Sequence, residues 1–94
     1  MFVRAVRFTG VTQERIDALK ERIAESGGPP EGVNTTGLEV GFDSAQGTAI
    51  VLQRFETAAD MQEAARILGA MDAGETPGTR AAVDSCEVVL ELDG

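Results

Sequence analysis

Apolar residues along this chain recur with two periods. Leu38, Val40 and Phe42 alternate with Gly37, Glu39 and Gly41, the period-two pattern of a half-buried strand. "FVRAVRF", Phe2 to Phe8, is short and rich in β-branched and aromatic residues, so it predicts a first strand. "TAIVLQRF", Thr48 to Phe55, is more continuously apolar and predicts a strand central in a sheet. "AVDSCEVVLEL", Ala82 to Leu92, predicts a last strand with Cys86, Val88, Leu90 and Leu92 on one face. Between these runs the period lengthens. Ile16, Leu19 and Ile23 make one stripe at helical spacing, and Met61, Ala64, Ala65 and Leu68 make another.

Local signals bound the two helices. Thr12 is a good N-cap because its hydroxyl can accept from a free amide of the first turn, and Val11 and Ile16 have the spacing of a hydrophobic staple. Gly27 predicts the stop, since glycine takes the left-handed conformation without steric cost. Thr57 with Asp60 forms a capping-box pattern at the second helix. Gly69, inside that helix, predicts a close approach to the sheet. "GGPPEG", with Pro29 and Pro30, reads as a loop, and "DSAQG" as a hairpin turn in which Gly47 supplies a positive φ.

The resulting order is β-α-β-β-α-β, with "RF" ending a strand before a Thr-capped helix in each half (Arg7-Phe8 and Arg54-Phe55). Two split βαβ units of this kind predict one ferredoxin-like α+β domain over residues 1–94, a four-stranded antiparallel sheet with both helices on one face. Leu38, Val40, Phe42, Cys86, Val88, Leu90 and Leu92 are the residues expected beneath the helices. The helix-free face keeps apolar residues in the central strands, so a second copy is expected to cover it in a homodimer.

Composition removes many chemistries. The chain has no His, Trp or Tyr, which excludes imidazole ligands and Ser-His-Asp triads. No metal loop or cofactor motif is present, so no cofactor is expected. Lys20 and seven arginines stand against sixteen carboxylates, a net charge of −8 that argues against nucleic acid. No signal-peptide pattern or membrane-length apolar run occurs, and the cytoplasm is the expected location. Cys86 is the single cysteine and reads as a small buried residue; Met61 and Met71 read as core filler. Ser44, Thr79 and Ser85 have no base in any motif, so no catalytic residue is assigned.

"IVLQRFETAADMQEAA" resembles the third strand and second helix of the dimeric α/β-barrel superfamily, especially its antibiotic-biosynthesis-monooxygenase-like branch. In that branch the strand ends in Glu, any residue, then Trp or Tyr, and the helix carries a His about two turns in. Gln53 stands where that Glu stands, Phe55 where the aromatic stands, and Ala64 and Ala65 where the His would fall. The resemblance implies a dimeric barrel and leaves open a cofactor-independent monooxygenase-like or isomerase-like enzyme. The family's His, Trp and Tyr are missing, and Asn34 is the single Asn. A fainter resemblance, through Gly10, Arg15 and Asn34, is to acylphosphatases, whose glycine-rich loop cradles phosphate; Glu14 would repel that anion here.

Arg4, Gln53, Phe55, Glu39 and Glu87 are the ligand-pocket candidates. Alternation puts Arg4 in phase with Phe2, Val6 and Phe8, and Gln53 in phase with Val51 and Phe55. With this set inside the barrel, Arg4 either pairs with the glutamates across strands, and the protein serves a structural role, or it holds an anionic or amide-bearing small molecule. Arg7 and Arg54 are then expected on the helix side, their heads reaching solvent. The "GGPPEG" loop is a plain connection or a lid over such a pocket.

Overall fold

A computed structural model of the chain describes residues 1–27, 32–69 and 77–92. Its elements are β1 (Phe2–Thr9), α1 (Gln13–Ser26), β2 (Gly37–Asp43), β3 (Thr48–Phe55), α2 (Ala58–Gly69) and β4 (Thr79–Glu87). The four strands form one antiparallel sheet in the order β2-β3-β1-β4. This is the ferredoxin-like α+β fold, with β1 and β3 in the middle and β2 and β4 at the edges.

The local signals act as expected from their chemistry. Thr12 Oγ1 accepts from the Arg15 amide at 3.3 Å, and Thr57 Oγ1 accepts from the Asp60 amide at 3.1 Å. Gly27 caps α1 in the left-handed region at φ 70°. In the β2–β3 turn the Asp43 carboxylate accepts from the Ala45 and Gln46 amides and from the Gln46 side chain, while Gly47 takes φ 67°. Gly78 is required by close approach: a Cβ there would lie 2.3 Å from the Thr9 carbonyl oxygen. Gly69 has no such reason, because a Cβ on it would meet nothing within 4 Å.

Large apolar side chains decide which sheet face the helices cover. Val6, Phe8 and Ala49 pack with Val11 and Ile16 in one cluster; Phe55, Met61, Ala64 and Val33 form a second. Phe55 is fully buried between α2 and the sheet. Burying a Phe or Val side chain is worth about 1.5–3 kcal/mol, so the phase holding Phe2, Val6, Phe8 and Phe55 outweighs the opposite phase with Val3, Ala5, Ile50 and Leu52. The stripe of α1 weakens along its length: Ile16 is buried, Leu19 half-buried and Ile23 exposed.

Two expectations need correction at the last strand. β4 ends at Glu87, five residues before Leu92, where its register with β1 ends at Phe2; one further contact follows, the Val88 amide donating to the Met1 carbonyl at 3.0 Å. Leu90 and Leu92, expected beneath the helices, are exposed. Cys86 is exposed as well, opposite Val3 on the helix-free face, as are all nine residues of this edge strand. Pro29, Pro30 and Met71 lie outside the described residues.

Phe55→Ala should cost about 3–5 kcal/mol, a large share of the about 5–15 kcal/mol available to a domain this small, and urea unfolding measures it. A second check concerns Asp43, whose carboxyl is held below its ordinary pKa by the Gln46 side-chain hydrogen bond and then by backbone amides. A carboxyl lowered by folding supports the turn above its unfolded pKa and loses that support as pH falls through the folded value. The Gln46 side-chain NH2 resonances should therefore shift only below the ordinary aspartate range, and Asp43→Asn should abolish that titration.

Candidate functional site

Strand register settles which candidates meet. Arg4 lies opposite Gln53 on β3 and Ser85 on β4, and Leu38 lies opposite Gln53. This row has the phase of Val6 and Phe55, so it faces the helices and not the open side of the sheet. The Arg4, Gln53 and Phe55 placement inside a sheet-to-sheet barrel is therefore corrected: all three lie on the helix side. Glu87, opposite Phe2, shares that face at its exposed end. Glu39 does not; it lies on the helix-free face, with its carboxylate 3.8 Å from Arg54. Arg7, opposite Ile50, and Arg54, opposite Val3, are likewise on the helix-free face, contrary to expectation.

Arg4 is the one charged side chain among the buried residues described, at 4% exposure. Its terminal nitrogen Nη1 donates to Gln53 Oε1 at 3.1 Å. Its Nε is buried and has no acceptor. Among the described residues no carboxylate lies within 4.0 Å of the guanidinium, so the expected pairing of Arg4 with the glutamates is not formed. Burial, and then the like charge of Arg80, pull its pKa below the ordinary arginine value. The group stays ionised at neutral pH all the same.

The polar row also divides the core. On one side Phe2 and Phe55 belong to the cluster with Met61 and Ala64; on the other, Val6 and Val51 belong to the cluster with Ile16. Gln53 is half-buried and Ser85 exposed, so the row runs from the interior to the surface. α2 lies over β1 and β3, and all nine residues of β4 are exposed. The helix side of β4, with Arg80, Val83 and Ser85, is thus exposed, and Ser85 is the partner of Arg4 in register.

Sequence reasoning missed the make-up of the other face. Val3, Ala5, Ile50 and Leu52 lie there together, with Leu52 opposite both Ala5 and Glu39, and Ile50 47% exposed. The signal was present, since Val3 and Ala5 alternate with Phe2, Arg4 and Val6, but both phases of β1 contain apolar residues and an arginine.

Other chemistries find little to build on. The β1–α1 loop is engaged internally: the Val11 amide donates to the Gly47 carbonyl at 2.8 Å, and the Arg15 amide to Thr12. Few amides there are left to cradle a phosphate. Among the described residues no group of three or more His, Cys, Asp or Glu could hold a metal ion, and no helix is long and apolar enough to cross a membrane.

Compared with protein-family models and with curated proteins, the chain matches none of them.

Because Arg4 has no anionic partner among the described residues, its removal strands none of their carboxylates. Arg4→Met should leave stability unchanged or raise it by up to about 4 kcal/mol, read from urea unfolding. A large loss would reveal a partner carboxylate.

Proposed function

We propose that the chain is a homodimeric α/β-barrel protein that binds a small molecule without a cofactor, two copies meeting through their helix-free sheet faces. The observation that supports this best is the apolar group Val3, Ala5, Ile50 and Leu52 on that face, in register across the two central strands. Charges of both signs frame it. Arg54 and Arg7 stand at one pair of positions, Glu39 and Asp84 at another. In a two-fold contact each patch meets its own copy reversed, so arginines of one protomer can face carboxylates of the other.

The likeness of the β3–α2 segment to the dimeric α/β-barrel superfamily implies the same assembly. The small-molecule half of the proposal rests on Arg4, a buried cation with spare hydrogen-bond donors.

Light scattering on the purified protein at micromolar concentration should give twice the 9.9 kDa chain mass. Leu52→Asp should return it to the monomer mass while keeping the fold, since the side chain lies outside the two core clusters. A monomer in the unmodified protein would end the dimer reading.

A further inference from the structure

We infer that Arg4 anchors a binding site for a small organic monocarboxylate, on the helix side of the sheet beside β4. This deepens the small-molecule half of the proposed function and is independent of dimerisation.

The guanidinium has five N–H donors, and one is used, on the neutral acceptor Gln53 Oε1. The Nε–H is buried with nothing to receive it. Such a group is costly to leave unmatched, and a cation more so than a neutral donor. Scarcity of acids does not explain the gap: the chain has sixteen carboxylates for eight basic side chains, and Lys20, Arg54 and Arg66 each have one nearby. The other charge acting on Arg4 is Arg80, of the same sign. No carboxylate among the described residues lies within 4.0 Å of Arg4 to offset its charge.

The shape of the donors selects the ligand class. Nη1 is held by Gln53, which leaves the edge formed by Nε and the second terminal nitrogen. That edge presents two parallel N–H bonds and matches the two oxygens of a carboxylate. The Gln53 oxygen accepts from Arg4, so its NH2 group remains as a further donor on the same row. One buried positive charge balances one negative charge. A phosphate dianion would leave excess charge in a poorly solvated place, and Arg80, exposed and with its guanidinium directed at the Leu68 carbonyl 3.4 Å away, is engaged elsewhere. Ser85, the partner of Arg4 in register, is exposed and Val83 is 42% exposed, so an apolar ligand body can lie on Val83. Glu87, on the same face, is the internal rival; it is the nearest acidic residue along β4 in phase with Ser85.

The test follows the arginine Nε–H resonances of the whole chain by proton–nitrogen correlation during titration with hexanoate. Chloride and inorganic phosphate at matched ionic strength are the controls. One Nε–H signal, identified by its loss in Arg4→Lys, should move saturably with hexanoate and stay still with chloride. Arg4→Lys keeps the charge without the two-pronged edge, and its hexanoate affinity, followed through backbone amides, should fall about tenfold or more. Gln53→Glu supplies an internal carboxylate; it should raise the urea midpoint and abolish hexanoate binding. Glu87→Gln removes the rival and should leave binding intact or tighten it. No saturable shift with hexanoate overturns the proposal, as does a stronger response to phosphate. Unchanged binding with no gain in stability in Gln53→Glu overturns it too, and that arm holds even where Arg4→Lys fails to fold. Light scattering on the same samples keeps the two readings apart, since a monomer that still binds hexanoate through Arg4 sinks the dimer alone.

Discussion

A guanidinium sits in the middle of the core, and the rest of the domain is arranged around it. Taking a cation out of water costs on the order of several kcal/mol even after relaxation, and a domain of 94 residues has only about 5–15 kcal/mol of net stability. Arg4 is held there by its neighbours along β1. Phe2, Val6 and Phe8 alternate with the same phase, and their burial requires that Arg4 be buried with them. A strand has no means of turning one side chain to the opposite face without a bulge, and the one irregularity in the β1–β4 pairing falls between Arg7 and Phe8, beyond Arg4.

That constraint shapes the neighbourhood. The row Gln53–Arg4–Ser85 crosses three strands and separates two hydrophobic clusters that would otherwise be continuous. Gln53 is the residue that makes the row tolerable, since its carbonyl accepts from the guanidinium without adding a second charge. The oddity of a Gln late in an apolar strand is therefore explained by its cross-strand partner. Arg54, its neighbour in sequence, points the other way and makes only an exposed contact with Glu39, which is worth about 0–1 kcal/mol.

Much of the fold was legible because it is written in local signals. The caps at Thr12 and Thr57, the stop at Gly27 and the turn at Asp43–Gly47 depend on residues a few positions apart. The candidate site was legible only in part. Alternation correctly groups Arg4 with Val6 and Gln53 with Phe55, but it cannot say which group meets the helices when both phases of a strand are apolar. The decision lies in side-chain size, four aromatic and branched residues against Val3, Ala5, Ile50 and Leu52, and in pairing between strands 49 residues apart in sequence. Glu39 was misgrouped for the same reason. β2 was phased correctly against the helices and β3 against them wrongly, although Leu38 and Gln53 are partners in register. The end of β4 was illegible from its own composition: Val88 to Leu92 has strand character, but pairing depends on the neighbouring strand, and the register of β4 with β1 ends at Glu87.

The two faces of the sheet differ in what would complete them. The helix-free face has apolar residues ringed by charges of both signs, so another copy of the same surface can answer it with no new chemistry. The helix side has its aromatic groups and Val6 in the two core clusters, with Leu38, Val40 and Val83 exposed toward its edges, and its deficit is a single unit of negative charge at Arg4. A second copy docked on the open face cannot supply that charge, because the sheet itself lies between. What answers it must come from the side of β4 that α2 leaves uncovered, and it must be small enough to lie beside the helix. The edge strand left bare on both faces is therefore the element that both surfaces share: its outer side belongs to the proposed dimer, and its inner side, over Val83 and Ser85, to the ligand.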